Sequence, residues 1–236
     1  MANEYSARIT DAHLEELLAA GSVKLPALGE GFDLDGLAHE VALQVAGNTF
    51  TELSDVHREF VDRLDLRRDL ADRLCGLARR HLGYKGGTDD QYHIARFVTP
   101  GDSKECFRSH FDSHLFTLVV PVSIPSNEEP LGAGELIFVP RARRHPRNEL
   151  ENLVTKAYFK RYASERAVRS LLSSGACRVE SFSEMRPLLF LGMTTLHTNM
   201  PVTQTATKPR LTFLAHYFDP ASKVGVGSLL RRLRNR

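Results

Sequence analysis

His110-Phe111-Asp112, a distant His197 and then Arg210 are the residues whose types and order bear most directly on chemistry. Two imidazoles and one carboxylate can hold one face of a ferrous ion, leaving the remaining positions for oxygen and an organic co-substrate. On a strand, residues two apart share a face, so His110 and Asp112 can reach one ion with Phe111 turned away. His197 then has to arrive from a distant strand. His114 has the same parity and competes as a ligand on an uninterrupted strand, a place beside the ligands being its other reading. Arg210 suits a dicarboxylate that must be gripped at its far end, because a guanidinium offers two parallel donors. His216 has the strand parity of Arg210 and is read as an ordinary core histidine, as are His13, His39, His57, His81 and His93.

Two kinds of element must position these groups. The first 83 residues read as helix: 11–20 stopped by Gly21, 35–46 ending at Gly47-Asn48, and one long helix from Val56 to Ala78. In the last, apolar residues recur at three- and four-residue steps, slipping near Leu66. Ser54 is its expected N-cap, Asp55 lies in its first turn, Arg79, Arg80 and His81 lie in its last, and Gly83 ends it. After Gly86-Gly87 the pattern changes to short β-prone runs at 92–98, 115–124, 134–139, 188–191 and 210–218, punctuated by proline and glycine. Such runs point to an antiparallel sandwich or barrel rather than βαβ units. Residues 149–172 read as a helical insertion over one end of it.

Composition narrows the setting. The chain has 31 basic and 29 acidic residues, and a net charge of +2 that predicts no partner by itself. No apolar run approaches the roughly 20 residues of a bilayer span, so no membrane is expected. Residues 1–10 lack the apolar stretch of a signal peptide. Cys75, Cys106 and Cys177 are odd in number and scattered, which argues against a disulfide framework or zinc ribbon and for a reducing cytoplasm. Aromatic interleaving is too thin for a nucleic-acid groove.

From about Tyr92 to Pro220 the sequence resembles the Fe(II)/2-oxoglutarate-dependent dioxygenases. Tyr92-His93-Ile94-Ala95-Arg96-Phe97, Pro100-Gly101 and His110-Phe111-Asp112 resemble the lead-in and His-x-Asp strands of prolyl-hydroxylase relatives. Gly134-Glu135-Leu136 resembles the strand that follows. Leu196-His197 with Pro209-Arg210-Leu211-Thr212 resembles the closing motifs, somewhat as in phytanoyl-CoA dioxygenase relatives. The resemblance implies a mainly β fold with flanking helices: a double-stranded β-helix, jelly-roll and cupin-like, with iron at one open end. It implies His110, Asp112 and His197 as metal ligands, and Fe(II), 2-oxoglutarate and O2 as the reacting set. Arg210 would pair with the distal carboxylate of 2-oxoglutarate, Thr212 would add a hydroxyl, and Tyr92 is a weaker candidate for the same pocket. Asp112 favours hydroxylation, desaturation or cyclisation over halogenation, because halogenating relatives replace this carboxylate.

The expected organisation is one domain over 1–236. Helical residues 1–87 pack on the barrel, the β core occupies 88–220 with an insertion at about 141–175, and 221–236 form a basic tail. The expected substrate is a small molecule, as in natural-product tailoring, amino-acid hydroxylation or lipid modification. Arg141, Arg143, Arg144, Arg147 and His145, with Arg231, Arg232, Arg234 and Arg236 in the tail, would recognise an anionic or carrier-bound substrate, or else form a solvated loop and a frayed terminus. Two other readings use the same barrel: a cupin-like metalloenzyme independent of 2-oxoglutarate, and a non-catalytic ligand-binding barrel. The intact His-x-Asp, His and Arg set speaks against the second.

Overall fold

The computed structural model describes residues 4–220, except 30, 45–49, 53–54, 105 and 127–129. The expected Ser54 cap, the end of the second helix at 45–48 and the basic tail lie outside the described residues. The chain begins with α1 (Glu4–Ala7), α2 (Asp11–Ala20), β1 (Ser22–Lys24), α3 (Leu34–Gln44), β2 (Phe50–Glu52), α4 (Asp55–Arg63) and α5 (Asp69–His81). It continues with β3 (Gln91–Val98), β4 (Phe116–Ser123), β5 (Leu136–Val139), α6 (Glu149–Phe159), a 3-10 turn (Lys160–Tyr162) and α7 (Glu165–Ser173). The last elements are β6 (Arg178–Glu180), β7 (Leu188–Phe190), β8 (Leu196–Asn199) and β9 (Arg210–Tyr217).

The helices follow their sequence signals. Gly21 ends α2 at φ 81°, a left-handed angle that costs glycine little, and its N–H closes on the Leu17 carbonyl at 2.8 Å. Helix α5 has Asp69 and Asp72 in its first turn and Arg79, Arg80 and His81 in its last, each matched to the helix dipole. The expected long helix is divided in two. Leu64 and Leu66 are both fully buried, yet residues two apart on a continuous helix point to nearly opposite sides. The chain resolves this by leaving the helix, with Asp65 at φ 52°.

Among the described residues, six strands form one antiparallel sheet in the order β1-β7-β4-β9-β3-β2, and three form a smaller one, β6-β5-β8. Strands β1, β2 and β6 were not expected, being three residues each and too short to show a period. Val119, Leu188 and Phe190 of the large sheet meet Leu136 and Phe138 of the small one. The opposite face of the large sheet, with Leu118, Val120, Phe213, Ala215 and Tyr217, shares one apolar cluster with α2, α4 and α5. The arrangement is sheet-rich and antiparallel, of the jelly-roll kind, with helices covering one side. No helix among the described residues is long and apolar enough to cross a membrane.

Candidate metal centre and its pocket

The His-x-Asp segment is not part of a regular strand, contrary to expectation. His110 makes an isolated antiparallel bridge to His197, each N–H donating to the other's carbonyl at 3.0 Å. Asp112 then donates its N–H to the Gly192 carbonyl at 3.1 Å, and the chain bends through 113–115 before β4 begins. The bend removes His114 from the ligand face; its ring instead lies 5.3 Å from that of His216. Gly192 permits this pinning, because a Cβ there would lie 2.6 Å from Thr117 Oγ1 and 2.8 Å from the His114 carbonyl.

One ligand atom from each of His110, Asp112 and His197 falls within 4.8 Å of the others, the spacing of a metal-binding set. Both imidazoles place Nε2 3.7 Å from Asp112 Oδ1. Their Nδ1 atoms lie 2.8 Å from the Arg108 carbonyl and 3.1 Å from the Thr195 carbonyl. Each Nδ1 is therefore the donor, leaving a lone pair on Nε2 for a cation. Asp112 is divided in the same way. Oδ1 faces the histidines, while Oδ2 accepts from Thr117 Oγ1 at 2.5 Å. His216 Nδ1 lies 3.2 Å from the same hydroxyl, completing a chain from His216 through Thr117 to the carboxylate. Burial alone would raise the Asp112 pKa, but His197, His216, His110 and the Thr117 hydroxyl outweigh it, and the carboxyl ionises well below its usual range. Burial pushes His197 down to about 4, so it is neutral and able to ligate at neutral pH.

The cluster opens into a cavity of about 180 Å³ between the sheets. This is below the roughly 300–1,000 Å³ of common ligand pockets and suits a compact molecule. Alternation along β3 and β9 lines it with Tyr92, Ile94 and Arg96, and with Arg210, Thr212, Leu214 and His216. Arg210 is 2% exposed and the Thr212 hydroxyl is buried with no hydrogen-bond partner. No carboxylate among the described residues pairs with Arg210 within 4 Å. Burial and the neighbouring Arg96 both disfavour its charge, yet a guanidinium stays protonated at neutral pH. The pocket thus holds a cation and a hydroxyl prepared for an anion. Gly134 makes room for that cation: at φ 78°, an added Cβ would meet Arg210 Cδ at 2.7 Å. Tyr92 is 46% exposed and stacks 6.0 Å from His216, a position at the mouth.

The fold therefore brings His110, Asp112, His197, Arg210 and Thr212 to one pocket, with Tyr92 at its edge. Reading the sequence missed Thr117, Arg96 and Asn199, and set His216 aside. The signal for Arg96 was the two-residue parity from Tyr92; it pairs across the sheet with Thr212 and donates from Nη1 to Asn199 Oδ1. Of the expected anion-binding arginines, Arg143 is otherwise engaged. It stacks 4.1 Å from the Phe111 ring centre and donates to the Met193 carbonyl, Thr155 and Asn152.

No family model and no curated protein matches this sequence. Solved structures match by fold. A prolyl 4-hydroxylase structure from Phytophthora capsici aligns with TM-score 0.57 at 16% identity, over 98% of this chain and 75% of that one. EvdO2 from Micromonospora carbonacea var. aurantiaca, complexed with 2-oxoglutarate, aligns with TM-score 0.52 at 12% identity, over 89% and 90%. HygX from Streptomyces hygroscopicus, with nickel and 2-oxoglutarate bound, aligns with TM-score 0.51 at 15% identity, over 88% and 86%.

Proposed function

Because the chain has the fold of the Fe(II)/2-oxoglutarate-dependent oxygenase superfamily, we propose that it is such an enzyme, built on a double-stranded β-helix and acting on a small molecule. One observation carries the reading: a His-Asp-His set shares a small cavity with a buried, anion-ready Arg210 and an unpartnered Thr212 hydroxyl. His110 and His197 would bind Fe(II) through Nε2, and Asp112 through Oδ1. Arg210 would grip the distal carboxylate of 2-oxoglutarate while Thr212 donates to it. When bound, the iron and co-substrate supply the oxidation: 2-oxoglutarate, O2 and a C–H bond become succinate, CO2 and a C–OH bond.

The protein's part is to fix positions. Thr117 holds Asp112 Oδ2, which leaves Oδ1 facing the two imidazoles, where it would meet the ion. Leu136, Phe190 and Leu214 line the cavity with apolar surface, and the field of Arg210 is strengthened where water is excluded. We further propose hydroxylation, with desaturation or cyclisation of the same C–H substrate as variants of the outcome. The test is anaerobic visible spectroscopy of the apo-protein titrated with Fe(II) and then 2-oxoglutarate. A charge-transfer band that needs both additions and weakens in Arg210→Ala is the expected result. Bound iron with no such band overturns the role of 2-oxoglutarate.

A further inference from the structure

A second cavity, about 780 Å³, lies beside the metal cluster and shares Arg96, His110 and Asn199 with the first as a common wall. Its other lining includes Arg108, Phe111, Lys156, Phe159 and Lys160. No carboxylate among the described residues lines it. Its size falls within the range that encloses an organic ligand.

Helix α6 builds this chamber in an inverted way. A surface helix normally turns its apolar stripe to the protein. Here Leu150, Leu153, Val154 and Tyr158, spaced as one helical face, are exposed. Asn152, Thr155, Lys156 and Phe159 occupy the other face. Asn152 and Thr155 hold Arg143, which stacks on Phe111, and Phe159 meets Phe111 edge-on at 5.0 Å. The lysine-bearing face is thus tied to the residue between His110 and Asp112. Lys160 continues the helical backbone at φ −56° and ψ −23°, so Lys156 and Lys160 stand one turn apart on one side. Thr198 also lines the chamber, and its hydroxyl is buried without a partner.

We propose that this chamber binds the substrate to be oxidised, and that the substrate is an anion: an apolar or aromatic body ending in a phosphate, sulfate or carboxylate. The acidic end sits against Lys156, Lys160 and Arg108, the body lies along Phe111 and Phe159, and the reacting carbon reaches the metal past His110. Which carbon is oxidised rests on the oxygenase reading above; anion binding in the chamber does not. Anion recognition accordingly moves from the arginines at 141–147 to Arg108, Lys156 and Lys160.

Calorimetry on the full chain tests this with phenyl phosphate, phenyl sulfate and phenylacetate as probes and benzyl alcohol as the neutral control. The runs use the apo-protein and the protein loaded anaerobically with Fe(II) and 2-oxoglutarate. At least one anion should bind tenfold or more tightly than benzyl alcohol, with or without 2-oxoglutarate. Lys156→Ala/Lys160→Ala should weaken it at least tenfold, and Lys156→Arg/Lys160→Arg should restore it. Equal binding by the alanine variant, displacement of the probe by 2-oxoglutarate, or no anion binding at all overturns the proposal. Failure of the apo-protein to take up Fe(II) or 2-oxoglutarate would sink the oxygenase reading and leave the chamber result standing.

Discussion

Strand β9 presents Leu211, Phe213, Ala215 and Tyr217 to the helices and Arg210, Thr212, Leu214 and His216 to the pocket. The two faces are a few ångströms apart and obey opposite rules. On the helix side, burial is mainly apolar: Phe213 lies 5.0 Å from Phe60, and the Tyr217 hydroxyl donates to the Leu66 carbonyl. On the pocket side, burial is polar and incomplete, with an unpaired Thr212 hydroxyl and a guanidinium that no carboxylate of the described residues meets within 4 Å. Burying such groups costs stability unless something else completes them. One face holds the molecule together, and the other is held open for a ligand at the expense of stability.

Substitutions on the two faces should therefore separate folding from function. The largest effect is expected at Asp112. Asp112→Ala removes the carboxylate to which both histidines turn, and coupled succinate formation should fall below detection; unchanged turnover would break the metal assignment. On the helix side, Phe213→Ala should cost about 3–5 kcal/mol of stability by leaving a cavity, while the folded fraction keeps its affinity for Fe(II). Arg210→Met is the converse. It should raise the thermal midpoint of the apo-protein, because a desolvated charge is replaced by an apolar chain of similar length, and weaken 2-oxoglutarate binding at least tenfold. A lower midpoint in Arg210→Met would mean that the pocket face stabilises the fold after all.

A smaller effect sharpens the same contrast within the metal centre. Thr117 lies outside the His-Asp-His set, yet its hydroxyl fixes Asp112 Oδ2 and meets His216. Partners of this kind typically contribute about 10–100-fold to metal affinity. Thr117→Val keeps the shape and removes the hydrogen bond. Its Fe(II) dissociation constant should rise by about that factor while the thermal midpoint of the apo-protein barely moves.

Much of the pocket was legible because β strands repeat every two residues. Arg210 and Thr212 share a parity, as do Tyr92 and Arg96, and those faces could be read without coordinates. The His-x-Asp pair was found by residue type, but for a reason only partly right. Its geometry comes from a bridge to His197 and a contact with Gly192, both far away in sequence, and not from a regular strand. Thr117 could not be read at all, since its role depends on how the chain bends between 113 and 115. The chamber under α6 was hidden for another reason. Lys156 lies on the less exposed side of α6 and Lys160 in the turn that follows, while the apolar residues of α6 face outward, and an amphipathic pattern names two faces without saying which is buried. Arg143 shows the limit in reverse: four arginines look alike in sequence, and the one that is buried braces Phe111.

Acid should reveal the smallest difference between the faces. His93 lies on the helix side, edge-on to Tyr217 at 5.9 Å. Its Nε2 donates to Gln91 Oε1 at 3.0 Å, and its Nδ1 is buried without a partner. Burial, reinforced by Arg67 and His216, pushes its pKa down from 6.5 to about 4. The folded state therefore binds fewer protons than the unfolded chain between these values, and stability falls as pH drops through that window. Above about pH 6.5 the neutral ring costs nothing, and below about pH 4 the loss from this group is complete. On the pocket side, burial lowers His197 and His216 in the same direction, so the apo-protein should lose thermal midpoint steadily from pH 6.5 to 4. His93→Leu should flatten part of that slope and leave Fe(II) affinity at pH 7.5 unchanged. If the variant retains the whole slope, the acid sensitivity belongs to the other buried histidines, and His93 contributes nothing to it.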